Sequence, residues 1–512
     1  MNNLCSNKSK IRVFRTHIEI YDYDLGDCPT IEKCFSIYDM TYHKRFPMGM
    51  IYNKENRILM LPRGIDIGYI ERLFNCNALI DTSTDPIGIV SETKLRYKPR
   101  DEVQQEAIRF MLSMDKYKHN ENSTMMSINL NTGKGKTYCA IATTAFLQMR
   151  SIVITDNVEW LNQWKGFFLE YTDMTKDEIY LIAGAPSMMK LFNRDISKYK
   201  VLLCTHSTLK SVGDKQGWDK IREFFQYCQI AIKFYDEAHL NFDNMFQIDC
   251  YSNSFLTYYL TASPGRSNTD EDRIFKLAFK NVPSINLFNQ EIDPHTKYAG
   301  IRFNSNPSPL DVKHCKNNYG LNRSRYIDYL VKNENFQRML YILIDMVRKK
   351  PYGKHLFYIG TNEAILYVRD WIYEHFPEFR GQVGIYTTIT PADQKSKELE
   401  KVIILSTTKS AGPAMDIKGL VETVNLAEPF KSKILAQQTI GRTRDDNTLY
   451  KDIVDTGFLY TKKFYEFKKP VFEKYASECV EININNKELI ERSEAIIAKR
   501  NSCIQPVEFF DK

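Results

Sequence analysis

Five short apolar runs most constrain what this chain can become: "MMSINL", "SIVIT", "VLLCTH", "IAIKFYDEAH" and "FLTYYLTAS", all between residues 125 and 263. Each is too short for an ordinary helix and apolar nearly throughout, which is how a strand buried on both faces reads. Polar stretches of helical length separate them. Strands alternating with helices in this way wind into a parallel sheet covered on both sides. A second series follows: "KHLFYIG", "GQVGIYT", "KVIILSTT", "LVETVNLAE" and "DIVDTGFLY". Two βα series of similar size predict two α/β domains of one architecture. The segment "NQEIDPHTKYAGIRFNSNPSPLD", rich in Pro and Asn, places the boundary near 290.

The flanks have a different texture. Residues 1–95 hold alternating runs such as "KIRVFRTHIEIYDY" and "RILMLPRG", broken by Gly, Pro and Asn, and read as a small α+β module. The stretch 466–512 reads as mostly helical and mixed in charge. The expected organisation is therefore 1–95, 96–289, 290–465 and 466–512, consistent with a chain of 512 residues, too long for one core.

Composition narrows the function classes. At 43% hydrophobic and 26% charged residues the chain is globular, which excludes a disordered tail protein. A net charge of +7 permits a polyanionic partner without requiring one. The eleven cysteines are scattered with no C-x-x-C pair, against a disulfide framework or a zinc ribbon. Neither a signal-like apolar core nor an apolar run of about 18 residues occurs, so a soluble, cytoplasmic protein without membrane contact is expected.

Two segments carry chemistry. In "SINLNTGKGKTYCA" an apolar strand runs into Thr132, Gly133, Lys134, Gly135, Lys136 and Thr137, then a helix. Glycines let backbone N–H groups converge on phosphate oxygens, and the helix N-terminus adds its dipole. Lys136 would reach the β/γ-phosphates of ATP and the Thr137 hydroxyl would bind Mg2+. Leu130 stands where the usual loop has its first Gly, and an ordinary glycine turn is the alternative. In "IAIKFYDEAHL" the acidic pair Asp236–Glu237 directly follows a strand. Asp236 can hold Mg2+, and Glu237 is placed to orient or deprotonate an attacking water.

Taken together, GKGKT, DEAH, "LTASP" and Q-x-x-G-R resemble, in order and approximate spacing, superfamily 2 DEAH-box helicases and translocases over residues 96–462. "KSKILAQQTIGR" and, more weakly, "KRFPMGMIYNKENRILMLPRG" are similar to phage UvsW-type recombination helicases, relatives of the poxvirus DEXH helicases. The resemblance implies two tandem RecA-like domains (parallel sheets flanked by helices), a small N-terminal α+β domain and a helical C-terminal tail. It implies an ATP- and Mg2+-dependent, nucleic-acid-stimulated ATPase that remodels branched or duplex DNA.

The resemblance also assigns roles. Gln104 matches the glutamine that reads the adenine edge, since an amide donates and accepts at once; an exposed helix glutamine is the alternative. Trp160 and Trp164 fall in a segment that lines the nucleic-acid path, although their i, i+4 spacing reads as core. Thr205 and Ser207 match a segment that touches backbone phosphates, with strand-end capping as the alternative. His239, Thr261 and Ser263 match the coupling elements beside the acidic box. Thr407 matches a track contact and Asp416 a nucleotide contact, the latter with Ala414 where a Gly is usual. Gln438 and Arg442 fit Q-x-x-G-R on the nucleotide side; the customary second arginine position holds Asp445, and Arg444 comes one residue early. In the N-terminal module Lys44, Arg45, Lys54, Arg57 and Arg63, with Phe46, Tyr52 and Met50 between them, suit DNA or equally a charged solvent face. Alternative readings are a duplex translocase that releases transcripts, and a nucleotide-gated binding protein without motor activity.

Overall fold

The computed structural model describes residues 11–39, 44–130, 135–238, 241–261, 269–287, 296–317, 320–350, 352–391, 393–411, 417–440 and 448–503. The chain divides into two compact units, Met1–Gln290 and Glu291–Lys512.

The first unit carries two sheets. A small one has the order Ile51–Asn53, Ile58–Pro62, His17–Ile20, Ile11–Val13, Ala78–Ile80, antiparallel except for its last pair. A separate hairpin pairs Ser36–Asp39 with Lys44–Pro47. The larger sheet has seven strands, every pairing parallel, in the order Ile179–Ile182, Val201–Thr205, Ser151–Thr155, Ile232–Tyr235, Leu256–Thr261, Met125–Asn129, Ser284–Asn286. Four of the strands these runs form are buried at every position, Met125–Asn129, Ser151–Thr155, Val201–Thr205 and Ile232–Tyr235, as strands covered on both faces must be.

The N-terminal module is fastened to this larger sheet by polar contacts. The Thr16 hydroxyl lies 2.8 Å from the Asp249 carbonyl and 2.6 Å from that of Ser252, at the end of helix Phe242–Cys250. Arg273 donates to the Cys34 and Ser36 carbonyls at 2.8 and 3.2 Å. Of the basic residues singled out in the module, Lys44, Arg45, Lys54 and Arg57 are exposed. Arg63 is not: burial holds its guanidinium below the ordinary arginine range.

The second unit repeats the plan. Its seven-stranded, wholly parallel sheet has the order Val383–Tyr386, Ile403–Ser406, Lys354–Ile359, Leu420–Ala427, Leu449–Asp455, Lys297–Phe303, Glu478–Asn483. With the seven strands of each sheet numbered in chain order, both sheets read 3-4-2-5-6-1-7. The two domains thus share topology, and the fold is two RecA-like domains with a small N-terminal sheet module. The C-terminal stretch is mostly helical, through Leu459–Tyr475 and Asn486–Cys503, with one addition: Glu478–Asn483 is a strand on the edge of the second sheet. No helix among the described residues is long and apolar enough to cross a membrane.

Candidate nucleotide site

In doubly wound sheets ligands collect at the carboxyl ends of the strands, and the first unit places its motif residues there. Strand Met125–Asn129 leads through the glycine loop to helix Lys136–Leu147, which Gly135 caps with φ of 87°. Two constraints make residue 135 a glycine. The φ is left-handed, and a Cβ there would come within 2.2 Å of Gln104 Nε2. Gln104 is thereby brought against the loop. It is buried on helix Glu102–Met111, and its Oε1 accepts the Arg100 N–H at 2.8 Å. Thr132, Gly133 and Lys134 lie outside the described residues. Thr137 is half-buried in the first turn of the helix.

Strand Ile232–Tyr235, flanked by Ser151–Thr155 and Leu256–Thr261, delivers the acidic pair. Lys136 Nζ sits 2.9 Å from Glu237 Oε1, so phosphate-loop lysine and acidic box meet across 101 residues of chain. Asp236 is 7% exposed; its Oδ1 accepts the Glu237 N–H at 3.0 Å and its Oδ2 accepts the Trp164 indole N–H at 2.9 Å. Burial first, and then the Glu237 charge beside it, push the Asp236 carboxyl up to about 6. Glu237 has φ of 49°, a left-handed conformation uncommon for a residue with a Cβ and typical of functional sites. The next N–H, of Ala238, donates to the Leu260 carbonyl, and the Thr261 carbonyl accepts from Leu130 at the loop's entry. The acidic box, the "LTASP" strand and the phosphate loop are thus stitched together by main chain. His239 and Ser263 lie outside the described residues.

This arrangement suits ATP with Mg2+. A lysine at a helix N-terminus takes phosphate charge. A buried carboxylate beside a threonine-bearing first turn offers the oxygen ligands that Mg2+ prefers. No group of three or more His, Cys, Asp or Glu gathers as a metal cluster among the described residues. A cavity of about 390 Å3 lies elsewhere, between the N-terminal sheet and helices Asp219–Cys228 and Phe242–Cys250, and holds no motif residue.

The expected track contacts separate. The Thr205 hydroxyl is buried and caps helix His206–Gln216, accepting from the Thr208 N–H at 3.1 Å, whereas Ser207 is exposed. Trp160 and Trp164 are both 2% exposed and belong to the core of helix Val158–Tyr171. In the second unit, Thr407 donates to Ser410 Oγ at 2.9 Å and accepts the Ser410 N–H at 3.0 Å. Gln438 is buried in helix Lys433–Ile440. Asp416, Arg442 and Arg444 lie outside the described residues.

Two contacts escaped the motif reading. The Trp164 bond to Asp236 is one. Glu428 makes the other: its carboxylate accepts the Thr408 N–H at 2.8 Å and the Thr408 hydroxyl at 2.6 Å, fixing the turn that presents Thr407. An acidic residue ending an apolar strand, "LVETVNLAE", was the available signal.

Residues 96–266 match the family model described as the res subunit of type III restriction enzymes. No curated protein sequence matches the chain. The solved structure of S. cerevisiae Dbp5 bound to RNA and ADP BeF3 aligns with 78% of this chain and 93% of its own, at 16% identity and a TM-score of 0.52. A fragment described as an HsdR subunit of a type I restriction enzyme from Vibrio vulnificus YJ016 aligns over 92% and 85%, at 15% identity and a TM-score of 0.52. T4 UvsW aligns over 93% and 99% at 16% identity, with a TM-score of 0.36, too low to bear on subtype. At these identities the likenesses speak to the fold alone.

Proposed function

We propose that this chain, built on the fold of superfamily 2 helicases, is an ATP-driven DNA helicase or translocase of DEAH-box type that remodels branched or duplex DNA, as phage recombination helicases do. The observation that carries this reading is the Lys136–Glu237 contact at 2.9 Å beside the buried Asp236. Phosphoryl transfer to water depends on positioning and charge neutralisation, and these three side chains supply both.

In the proposed cycle Lys136 leaves Glu237 for the β/γ-phosphates, which frees the Glu237 carboxylate to take a proton from the attacking water. Mg2+, when bound by Thr137 and Asp236, neutralises charge on the phosphate oxygens. Gln104 reads the base, with Gln438 and Asp416 as further nucleotide contacts. Arg442, with Arg444, is the proposed source of positive charge on the transferring group, an effect of about 10³–10⁵ in rate. Ser207, Thr407 and the hydroxyls of Thr261 and Ser263, with His239, serve the track and its coupling; Thr205 acts by capping the helix that presents Ser207. The proposed division of labour is 1–95 for DNA binding, 96–289 for ATP, 290–465 as the second motor domain and 466–512 as its extension.

DNA is favoured over RNA by the motif set's resemblance to phage recombination helicases. ATPase turnover with forked DNA, four-way junctions, linear duplex and single-stranded RNA tests it. Forks and junctions are expected to stimulate most. Equal stimulation by linear duplex removes the branch preference and leaves a duplex translocase; stimulation by RNA alone overturns the DNA assignment.

A further inference from the structure

One face of helix Leu459–Tyr475 in the second unit collects cations that no carboxylate among the described residues neutralises. Tyr460, Lys463 and Phe467 lie at i, i+3 and i+7 and so share that face. Lys316 Nζ stands 5.8 Å from the Tyr460 ring centroid, and Lys431 and Lys433 each stand 5.2 Å from that of Phe467. Lys316, Lys431, Lys433 and Lys463 are all exposed, and Phe467 is 39% exposed. None of the four lysines has an acidic partner among the described residues. Their neighbours on the same helix do: Lys468 is paired with Asp452, and Lys469 with Glu473 and Glu481.

Electrostatics make this cluster costly without an anion. Four like charges crowd one surface, and self-repulsion opposes the folded state. Lys431 and Lys433 also flank the N-terminus of helix Lys433–Ile440, the positive end of its dipole, where cations are disfavoured and anions favoured. Lysines and dipole therefore offer the same sign to the same ligand. Phe467 adds an exposed ring with two ammonium groups 5.2 Å from its centroid, a platform on which a base can stack while phosphates take the lysines.

We propose that this face of the second unit binds single-stranded nucleic acid, with Lys316, Lys431, Lys433 and Lys463 on backbone phosphates and Phe467 stacked on a base. The inference rests on the nucleic-acid motor reading above and adds a contact that the motor motifs do not contain. The patch shares helix Lys433–Ile440 with Gln438, so a strand held there touches the element that also carries that glutamine.

Fluorescence anisotropy with labelled oligothymidylate, at several salt concentrations, tests it on the full chain. The double variant Lys431→Gln/Lys433→Gln is expected to bind about tenfold more weakly near physiological salt. Its log K against log salt slope should be shallower by about 1.4, two phosphates' worth for a single strand. Phe467→Leu should weaken binding about fivefold or more and leave the slope unchanged, because stacking releases no counterions. If the double variant does not fold, Lys316→Gln/Lys463→Gln is read in the same way. Variants that bind oligothymidylate as the parent does, with the same slope, overturn the patch and leave the motor reading intact. Retention of polyglutamate by the patch, with oligothymidylate binding unaffected by the variants, also overturns it in favour of an acidic peptide. A parent protein with neither oligonucleotide affinity nor nucleic-acid-stimulated ATPase overturns the motor reading and the patch together.

Discussion

Trp164 donates its indole N–H to Oδ2 of Asp236 at 2.9 Å, across 72 residues of chain. Helix Val158–Tyr171, expected from the motif resemblance to line the nucleic-acid path, is thus bonded directly to the carboxylate proposed to hold Mg2+. The bond fixes one oxygen of Asp236 and leaves Oδ1 with the Glu237 N–H. Groups that orient a ligand carboxylate typically matter 10–100-fold for metal affinity or activity. Trp164→Phe keeps the buried ring and removes the donor. Its Mg2+ titration of ATPase activity is expected to move to higher Mg2+ by about tenfold or more. An unchanged Mg2+ midpoint would show that the indole only fills space.

Asp249 gathers a second polar cluster. Its Oδ1 lies 2.5 Å from Lys233 Nζ and 2.8 Å from the Tyr235 hydroxyl, and its Oδ2 accepts from the Tyr259 hydroxyl at 2.6 Å. Lys233 is fully buried, and burial already depresses its ammonium. Asp249→Ala would strand that charge, at a cost of about 3–5 kcal/mol in urea unfolding. Adding Lys233→Met should restore most of the loss, since an apolar pair can replace a buried ion pair. A single variant within about 1 kcal/mol of the parent would contradict this view of the cluster.

How much of this could be read beforehand differs from element to element. The buried parallel strands were legible because a strand covered on both faces has nothing to alternate, and "SIVIT" or "VLLCTH" can be little else. Strand Glu478–Asn483 was not: all six of its residues are exposed, so neither an apolar run nor a buried period marks it, and only pairing with Lys297–Phe303 defines it. The Lys136–Glu237 meeting was legible through the motifs, because strand-loop-helix chemistry sets where such residues go. The Trp164–Asp236 bond was not, since the i, i+4 tryptophans announced only a core face. Whether a core side chain carries a donor into the site depends on tertiary packing, which spacing does not encode.

His206, first in helix His206–Gln216, is stacked on Tyr235 at 5.5 Å, and burial pushes its imidazolium from 6.5 down to about 3. The folded chain keeps this ring neutral while the unfolded chain takes a proton between those two values. Stability from this group is therefore complete above 6.5 and falls as pH drops below it. The loss is on the order of 2 kcal/mol by about pH 5. His206→Phe preserves the stacking and should flatten the unfolding free energy across that window relative to the parent. Parallel pH profiles for the two proteins would refute it.

Arg442 and Arg444 are separable by alanine substitution. Arg442→Ala is expected to abolish nucleic-acid-stimulated ATPase, a loss of about 10³-fold or more. Arg444→Ala should cost less, on the order of tenfold, if the displaced arginine shares the task through a charge-assisted hydrogen bond. Steady-state turnover with saturating nucleic acid decides between shared and single roles. Full activity in Arg444→Ala, with none in Arg442→Ala, leaves Arg442 as the sole contributor, and full activity in Arg442→Ala removes it from the reaction.

Glu237 is proposed to activate water for ATP hydrolysis beside Lys136 and Asp236. The most direct measurement is ATPase turnover of Glu237→Gln against the parent, with and without DNA, alongside equilibrium binding of ATP. The amide keeps the shape and cannot take the proton. The expected result is retained ATP binding with turnover lower by about 10²–10⁴-fold, the share of rate a general base supplies. Hydrolysis at the parent rate by Glu237→Gln would contradict it.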